Sequence, residues 1–327
     1  MNLLGYKRPD KEFWYGRIDD EKNYDSFRWH QIIKMINLDE EIYLDENAYV
    51  IISYKVDEGI ARNQGRRGAR RAPDLIKLNL SNRPCSFDQT VSIYDGGSVI
   101  CVDHDVEEAQ NTLAKMVEKV IRAGGFPIII GGGHDVAYGS MKGIAPTIDK
   151  NKPLGIVNFD AHFDNRPYKH STSGTMFRQI KDDFQNEKRE YNHLTIGVQK
   201  SANTTSLFND IENAGGEYIL ARDIKITNSY HNYEVINEFI RKNDSIYITI
   251  CCDVFASAFA PGVSSPQPLG ISPEDFMEFF KLFLASNKAI CLDVAEASPD
   301  LDNSNTTVSL VSLIVYTLIN YKYEHTF

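Results

Sequence analysis

Six short runs of apolar, largely β-branched residues recur along the chain: Tyr49–Tyr54 (YVIISY), Pro127–Ile130 (PIII), Leu154–Phe159 (LGIVNF), Leu194–Val198, Ile246–Cys251 and Ala289–Val294. Each is too short for a stable helix and too continuously apolar for a strand with one wet face. Each therefore reads as a strand covered on both sides. Helical signals lie between them. Glu107–Ala123 carries Leu113, Met116, Val117, Val120 and Ile121 on one face and stops at Gly124-Gly125, a usual helix end. Pro73–Leu80 and Tyr233–Arg241 read as shorter helices. Ser272-Pro273-Glu274-Asp275 opens another, with a capping serine and proline at the first position, running to about Ser286 before Asn287. Thr306–Lys322 reads as a last helix. Strands alternating with helices predict an α/β fold, a parallel sheet with helices on both faces. Such sheets bind their ligands at the carboxyl ends of the strands. Residues 1–48, rich in charges and aromatics, read as an arm wrapping the surface of a single domain that spans residues 1–327.

Charge and composition narrow the function. Asp and Glu number 45 against 35 Lys and Arg, a net charge of −10. A general nucleic-acid partner is not expected, because phosphate contacts need a basic surface. No apolar run reaches the roughly 18 residues of a membrane span; the longest, Val308–Ile319, carries Ser309, Ser312 and Thr317. The N-terminal segment has no apolar stretch of signal-peptide length. The five cysteines show no CxxC spacing, so a reduced, cytoplasmic protein is expected. Cys85, Cys101 and Cys291 read as small buried hydrophobes. The adjacent pair Cys251–Cys252 would bond only with strain.

Three strand ends carry polar residues. After PIII come three glycines, His134 and Asp135, which taken alone fits a phosphate-cradling turn as well as a metal ligand. After LGIVNF come Asp160, His162 and Asp164. Their i, i+2, i+4 spacing puts all three on one side of an extended segment. Two carboxylates and an imidazole beside an apolar strand are costly without a cation. Asp253 closes a third strand, where it could simply cap a turn. Converging, the three ends make a site large enough for two ions bridged by a carboxylate. Such a pair lowers the pKa of a water and supports hydrolysis at neutral pH.

The motifs GGGHD and DAHFD and the final D-x(7)-PG segment, in this order and at these intervals, resemble the arginase/agmatinase/formimidoylglutamase superfamily over roughly Val50 to Tyr321. The resemblance implies a three-layer αβα sandwich around a mostly parallel sheet of about eight strands. It also implies a binuclear Mn2+ cluster with six ligands, four of which fall on His134, Asp160, His162 and Asp164. The last two belong to an Asp-x-Asp strand end. The second is Asp253, and the first falls on Cys251. A thiolate there would favour zinc, iron(II) or cobalt, whereas a neutral thiol would leave one ion loosely held. Ala256-Ser257 stand where the family has Asp-Pro. The substrate-side glutamate of the family matches Glu296, and Asp164 is expected to bridge the ions and bond the nucleophile.

Within the superfamily, GIARNQGRRGARRAPD (59–74), STSGTMFRQI (171–180) and GVQKSANT (197–204) are similar to the formimidoylglutamase branch. Phe177 stands where arginases carry a proton-shuttling His. Arg166 stands where they carry an Asn that holds the amino-acid end. Arg166, Arg178 and Ser173 are the expected substrate contacts, with Arg62 and Arg66 behind them, since a bidentate guanidinium suits a substrate with two carboxylates. The implied activity is hydrolysis of N-formimidoyl-L-glutamate to L-glutamate and formamide, by a homo-oligomeric enzyme. The alternatives are hydrolysis of another linear amidine or guanidine such as agmatine, or a metal-poor, catalytically weak homologue. Cys251 as a nucleophile is disfavoured, because no base is evident beside it.

Overall fold

The computed structural model describes residues 3–224 and 229–325. All six apolar runs are strands, joined by four more. The ten are β1 (Tyr6–Lys7), β2 (Lys34–Met35), β3 (Ala48–Lys55), β4 (Ser92–Ile100), β5 (Phe126–Ile130), β6 (Leu154–Phe159), β7 (Asn192–Val198), β8 (Glu217–Leu220), β9 (Ser245–Cys251) and β10 (Ala289–Ala295). They form one sheet in the order β1-β4-β3-β5-β10-β9-β6-β7-β8, with β2 also on β4. Strands β3 to β10 all pair in parallel, and only β1 runs antiparallel to its neighbour. The expected sheet of about eight parallel strands is this set.

The helices are α1 (Trp29–Ile32), α2 (Glu58–Arg62), α3 (Ala72–Ser81), α4 (Val106–Arg122), α5 (Val136–Ile144), α6 (Met176–Glu187), α7 (Thr205–Asn213), α8 (Ser229–Lys242), α9 (Pro273–Ala285) and α10 (Thr306–His325). Local chemistry sets their ends. The Asp105 side chain accepts the Glu108 N–H at 2.9 Å to cap α4, and Ser272 accepts the Asp275 N–H at 3.1 Å to cap α9.

Two apolar layers sandwich the sheet. One face packs Ile128, Val157, Ile248 and Leu292 against Ile76 of α3, Phe239 of α8, Phe276 and Phe280 of α9 and Ile314 of α10. The opposite face packs Ile52, Ile129 and Ile156 against Leu113 and Met116 of α4, Met141 of α5 and Ile180 of α6. Adjacent Ile128 and Ile129 thus serve different cores, which is why the strands read as unbroken apolar runs. Burying each such side chain is worth about 1.5–3 kcal/mol. None of the helices among the described residues is long and apolar enough to cross a membrane.

Two parts of the sequence reading change. The N-terminal segment does more than wrap the surface: β1 and β2 extend the sheet, and Trp14, Trp29 and Leu38 are buried. Strand β4 was not expected, because its Asp95-Gly96-Gly97 reads as a turn. Asp95 is instead fully buried, paired with Lys77 Nζ at 2.8 Å and accepting from Trp14 Nε1 at 2.7 Å. Gly97 has φ +88°, and a Cβ there would meet Lys7 O at 2.3 Å, so only glycine lets β1 pair here. All five cysteines are free; four are buried and Cys101 is half-buried.

Candidate metal centre

The four central strands, β5, β10, β9 and β6, lie side by side, and the carboxyl end of each delivers a candidate ligand or substrate contact. Beyond β5 the chain turns through Gly131 (φ +88°) and Gly132 (φ +77°). A Cβ on Gly132 would meet Tyr54 O at 2.6 Å and Val56 O at 2.7 Å. This tight turn sets His134 against the sheet, fully buried. The His134 N–H donates to Glu296 Oε1 at 3.0 Å. Its Nδ1 lies 3.0 Å from Asp160 Oδ2 and 3.4 Å from Asp164 Oδ2. From the end of β6, Asp160 is fully buried and its Oδ1 accepts the His162 N–H at 2.8 Å. His162 Nδ1 lies 3.1 Å from Asp253 Oδ2 and 3.5 Å from Asp160 Oδ1. Cys251, the last residue of β9, is buried, and Asp253 follows in the next turn.

Ligand atoms fall into two triads, each within 4.8 Å: His134, Asp160 and Cys251, and Asp160, His162 and Asp253. Asp160 belongs to both. The residues fit a pair of cations. Asp253 Oδ1 is buried without a hydrogen-bond partner, and His134 Nδ1 faces two carboxylate oxygens, an arrangement that costs free energy unless a proton or a cation sits among them. Two residues hold left-handed backbone conformations, Asp164 at φ +46° and Glu296 at φ +66°. For residues other than glycine this costs of order 1–3 kcal/mol and clusters at functional sites.

Electrostatics point the same way. Burial would depress both histidines, but the surrounding carboxylates outweigh it. Asp253 and Asp160 carry His162 up to about 12, and Asp160 and Asp164 raise His134 well above its ordinary value. Burial and the Asp160 charge push Asp164 up. Burial and the Asp253 charge push Glu296 up to about 8. Burial, then the neighbouring carboxylates, push the Cys251 thiol well up. Without a cation, the cluster holds its excess negative charge by retaining protons.

A pocket of ≈ 290 Å³ opens on the cluster. His162, Asp164, Cys251, Asp253 and Glu296 line one part, and Asn63, Gln64, Arg166, Ser173, Ser264 and Ser265 line the rest. Arg166 donates from Nη1 to Asn63 Oδ1 at 3.0 Å. Gly174 makes room for this pair, since a Cβ there would sit 2.8 Å from Arg166 Nη1. A second cavity of ≈ 550 Å³ shares Asn63 and Arg166 and adds Arg62, Lys169 and His170. The structure therefore brings together the six expected metal ligands, Glu296, Arg166 and Ser173.

The other arginines are engaged elsewhere. Arg178 on α6 is ion-paired with Asp210 Oδ1 at 2.6 Å and is not part of the pocket lining. Arg62 pairs with Glu107 at 2.8 Å. Arg66 donates to the carbonyls of Val263 and Ser264 at 2.9 and 3.0 Å. Phe177 is fully buried, edge-on to His134 at 5.8 Å and against His193 at 4.4 Å. Gln64, Ser264 and Ser265 were not anticipated. They come from loops without periodicity; Gln64 lies inside the 59–74 motif, where nothing singles it out from its neighbours, and none of the motifs covers the two serines.

Three comparisons with known proteins point to one family. The Arginase family model matches residues 47–320. A formimidoylglutamase of Clostridium tetani is 41% identical over 325 residues, covering 97% of this chain and 96% of its own. The structure of formimidoylglutamase from Bacillus subtilis superposes with a TM-score of 0.78 at 18% identity, over 93% of this chain and 94% of that one. That of Trypanosoma cruzi formiminoglutamase, solved with Mn2+, gives 0.73 at 22% identity, over 88% and 98%. On the family match and the identity to a curated relative over nearly its whole length, this chain belongs to the arginase family.

Proposed function

We propose that the chain hydrolyses N-formimidoyl-L-glutamate to L-glutamate and formamide, the activity its curated relatives are named for. The observation that carries the reading is the pocket itself, which joins a cation-ready cluster to the Arg166–Asn63 pair. His134, Asp160 and Cys251 would hold one ion and Asp160, His162 and Asp253 the other, with Asp164 alongside. Manganese is the family ion and the ion of the Trypanosoma cruzi structure. When bound, the ions would lower the pKa of a water and so supply the nucleophile.

The protein's own groups do the rest. The Arg166 guanidinium pairs with a substrate carboxylate, its fork held by Asn63 Oδ1, and the Ser173 hydroxyl adds a neutral contact. Asp164, which lines the pocket beside the cluster, accepts the proton of the attacking water. Oxygen adds to the formimidoyl carbon, and the bond from that carbon to the glutamate nitrogen breaks. The departing nitrogen takes a proton. Glu296 Oε1 already accepts the His134 N–H, which leaves Oε2 to hold that nitrogen. The carboxyl that took the proton of the water, Asp164, can return it to that nitrogen. The same reading makes the chain one arginase-like domain, a homo-oligomer acting in the cytoplasm. Five unpaired cysteines fit a reducing compartment.

The test is turnover of formimidoylglutamate, arginine, agmatine and guanidinobutyrate, each with manganese, cobalt, iron(II) and zinc. A site built to pair a carboxylate rejects an analogue lacking one by about 10⁴-fold, so formimidoylglutamate should exceed agmatine in kcat/KM by that order. Equal turnover of agmatine, or no turnover with any metal, would overturn the proposal.

A further inference from the structure

His134 has two ring nitrogens, and only Nδ1 faces the ligand cluster. Its Nε2 lies 2.9 Å from the hydroxyl of Thr249, a fully buried residue of β9. Thr249 stands in register with Asp293 of β10, so the two side chains share one face of the sheet, as does Tyr247 two residues earlier. Asp293 is fully buried and belongs to none of the roles described so far. Its Oδ2 accepts from Ser140 Oγ at 2.7 Å and from the Tyr247 hydroxyl. Its Oδ1 is left without a donor. Burial pushes the Asp293 carboxyl up, opposed by the hydroxyls of Thr249, Tyr247 and Ser140, and Thr249 is the group across the register that can supply that donor.

A threonine hydroxyl carries one proton, and a carboxylate can only accept. If Thr249 gives its proton to Asp293, it can only accept from His134. That keeps a hydrogen on Nε2 and makes Nδ1 the nitrogen that gives up its proton when a cation binds. We propose that Thr249 is a positioning residue for the metal centre: its hydroxyl, anchored on Asp293, accepts from His134 Nε2 and fixes the tautomer and ring plane that offer Nδ1 to a cation. Groups that orient a ligand imidazole in this way raise its basicity and its affinity for metal. Ser140 and Tyr247 complete the device by holding Asp293 in place.

The proposal rests on the reading of the cluster as a metal centre, and not on the identity of the substrate. It is tested on the full chain with Thr249→Val, which keeps the shape and removes the hydroxyl, and Thr249→Ser, which keeps the hydroxyl. Mn2+ binding is measured by calorimetry and the melting of the metal-free proteins alongside. Thr249→Val should lose about 10- to 100-fold in affinity for one of two ions, while Thr249→Ser stays close to wild type. Wild-type affinity in Thr249→Val overturns the proposal. So does an equal loss in Thr249→Ser, because shape rather than the hydroxyl would then be responsible. Independently of whether the valine variant folds, nitrogen NMR of the histidine-labelled wild type loaded with Zn2+ should show His134 protonated at Nε2 and metal-bound at Nδ1. The opposite tautomer overturns the proposal. A wild type that binds no Mn2+ sinks both this inference and the proposed function. Normal uptake with an indifferent Thr249→Val sinks this inference alone.

Discussion

Cys251 makes the two candidate triads unequal. One triad offers nitrogen, oxygen and sulfur, and the other only nitrogen and oxygen. Thiolate selects softer ions and carboxylate harder ones. Cys251→Asp should therefore tighten Mn2+ and weaken Zn2+, and a tenfold change in either affinity corresponds to about 1.4 kcal/mol. The Co2+ form of the wild type should show a sulfur-to-cobalt absorption that the variant lacks. If neither affinity nor absorption changes, Cys251 is not a ligand. Arg166 lines the other end of the pocket. Arg166→Ala should raise KM for formimidoylglutamate by on the order of 10²-fold, about 2–3 kcal/mol for a lost charge-assisted contact. An unchanged KM removes Arg166 from the carboxylate-binding role. The cluster of acids and histidines could be read from the sequence because its members come in contiguous groups at strand ends, where the local chain alone fixes which side they face. Thr249 and Ser264 gave no such signal. The first matters only through its register with Asp293 on β10, and the second through a fold that brings residue 66 beside it. Arg178 misled for the complementary reason: motif similarity says nothing about a competing acid, and Asp210 lies 29 to 32 residues away along the chain from the two cations it binds.

Among the elements, those with continuous apolar runs were legible to within one or two residues, as Leu154–Phe159 and Ala289–Ala295 illustrate. Strand β4 was not, because its middle is an acid followed by two glycines. What makes it a strand lies elsewhere: the Lys77 ammonium from α3 and the Trp14 indole from the N-terminal segment both meet Asp95. Lys77 keeps only 2% side-chain exposure. Asp95→Ala would strand that ammonium in the core and should destabilise the protein by about 3–5 kcal/mol, far more than an exposed ion pair. The paired replacement Lys77→Met with Asp95→Leu should recover most of the loss, since apolar groups of similar size leave no unpaired charge. Denaturant unfolding of the three proteins measures both effects. A loss under about 1 kcal/mol in Asp95→Ala, typical of a surface pair, would mean that the pair is solvated and that β4 is held by its ladder alone.

Metal occupancy couples the centre to the stability of the whole chain. In the metal-free protein, His162 is carried up to about 12 and His134 well above its ordinary value, against about 6.5 in an unfolded chain. The sign follows from which state holds the proton. These two protonated histidines stabilise the metal-free fold fully below about pH 6.5, and that contribution is lost as pH rises toward the raised values. Metal binding has the opposite slope, because each ion must displace a proton from its imidazole. Two displaced protons raise the combined affinity about 100-fold per pH unit, or about 2.7 kcal/mol. With an unfolding entropy near 2.1 cal/mol/K per residue, a chain of 327 residues shifts its Tm by about 1.5 °C per kcal/mol. The difference in Tm between the Mn2+-loaded and chelated protein, at fixed free Mn2+, should therefore widen by about 4 °C per unit between pH 6.5 and 8. Calorimetric scans at four pH values give that slope. Titrations in two buffers of different ionisation enthalpy count the protons released. A Tm difference that stays constant across the range, or metal uptake without proton release, would show that the two histidines do not exchange their protons for the ions, and the ligand set would have to be redrawn without them.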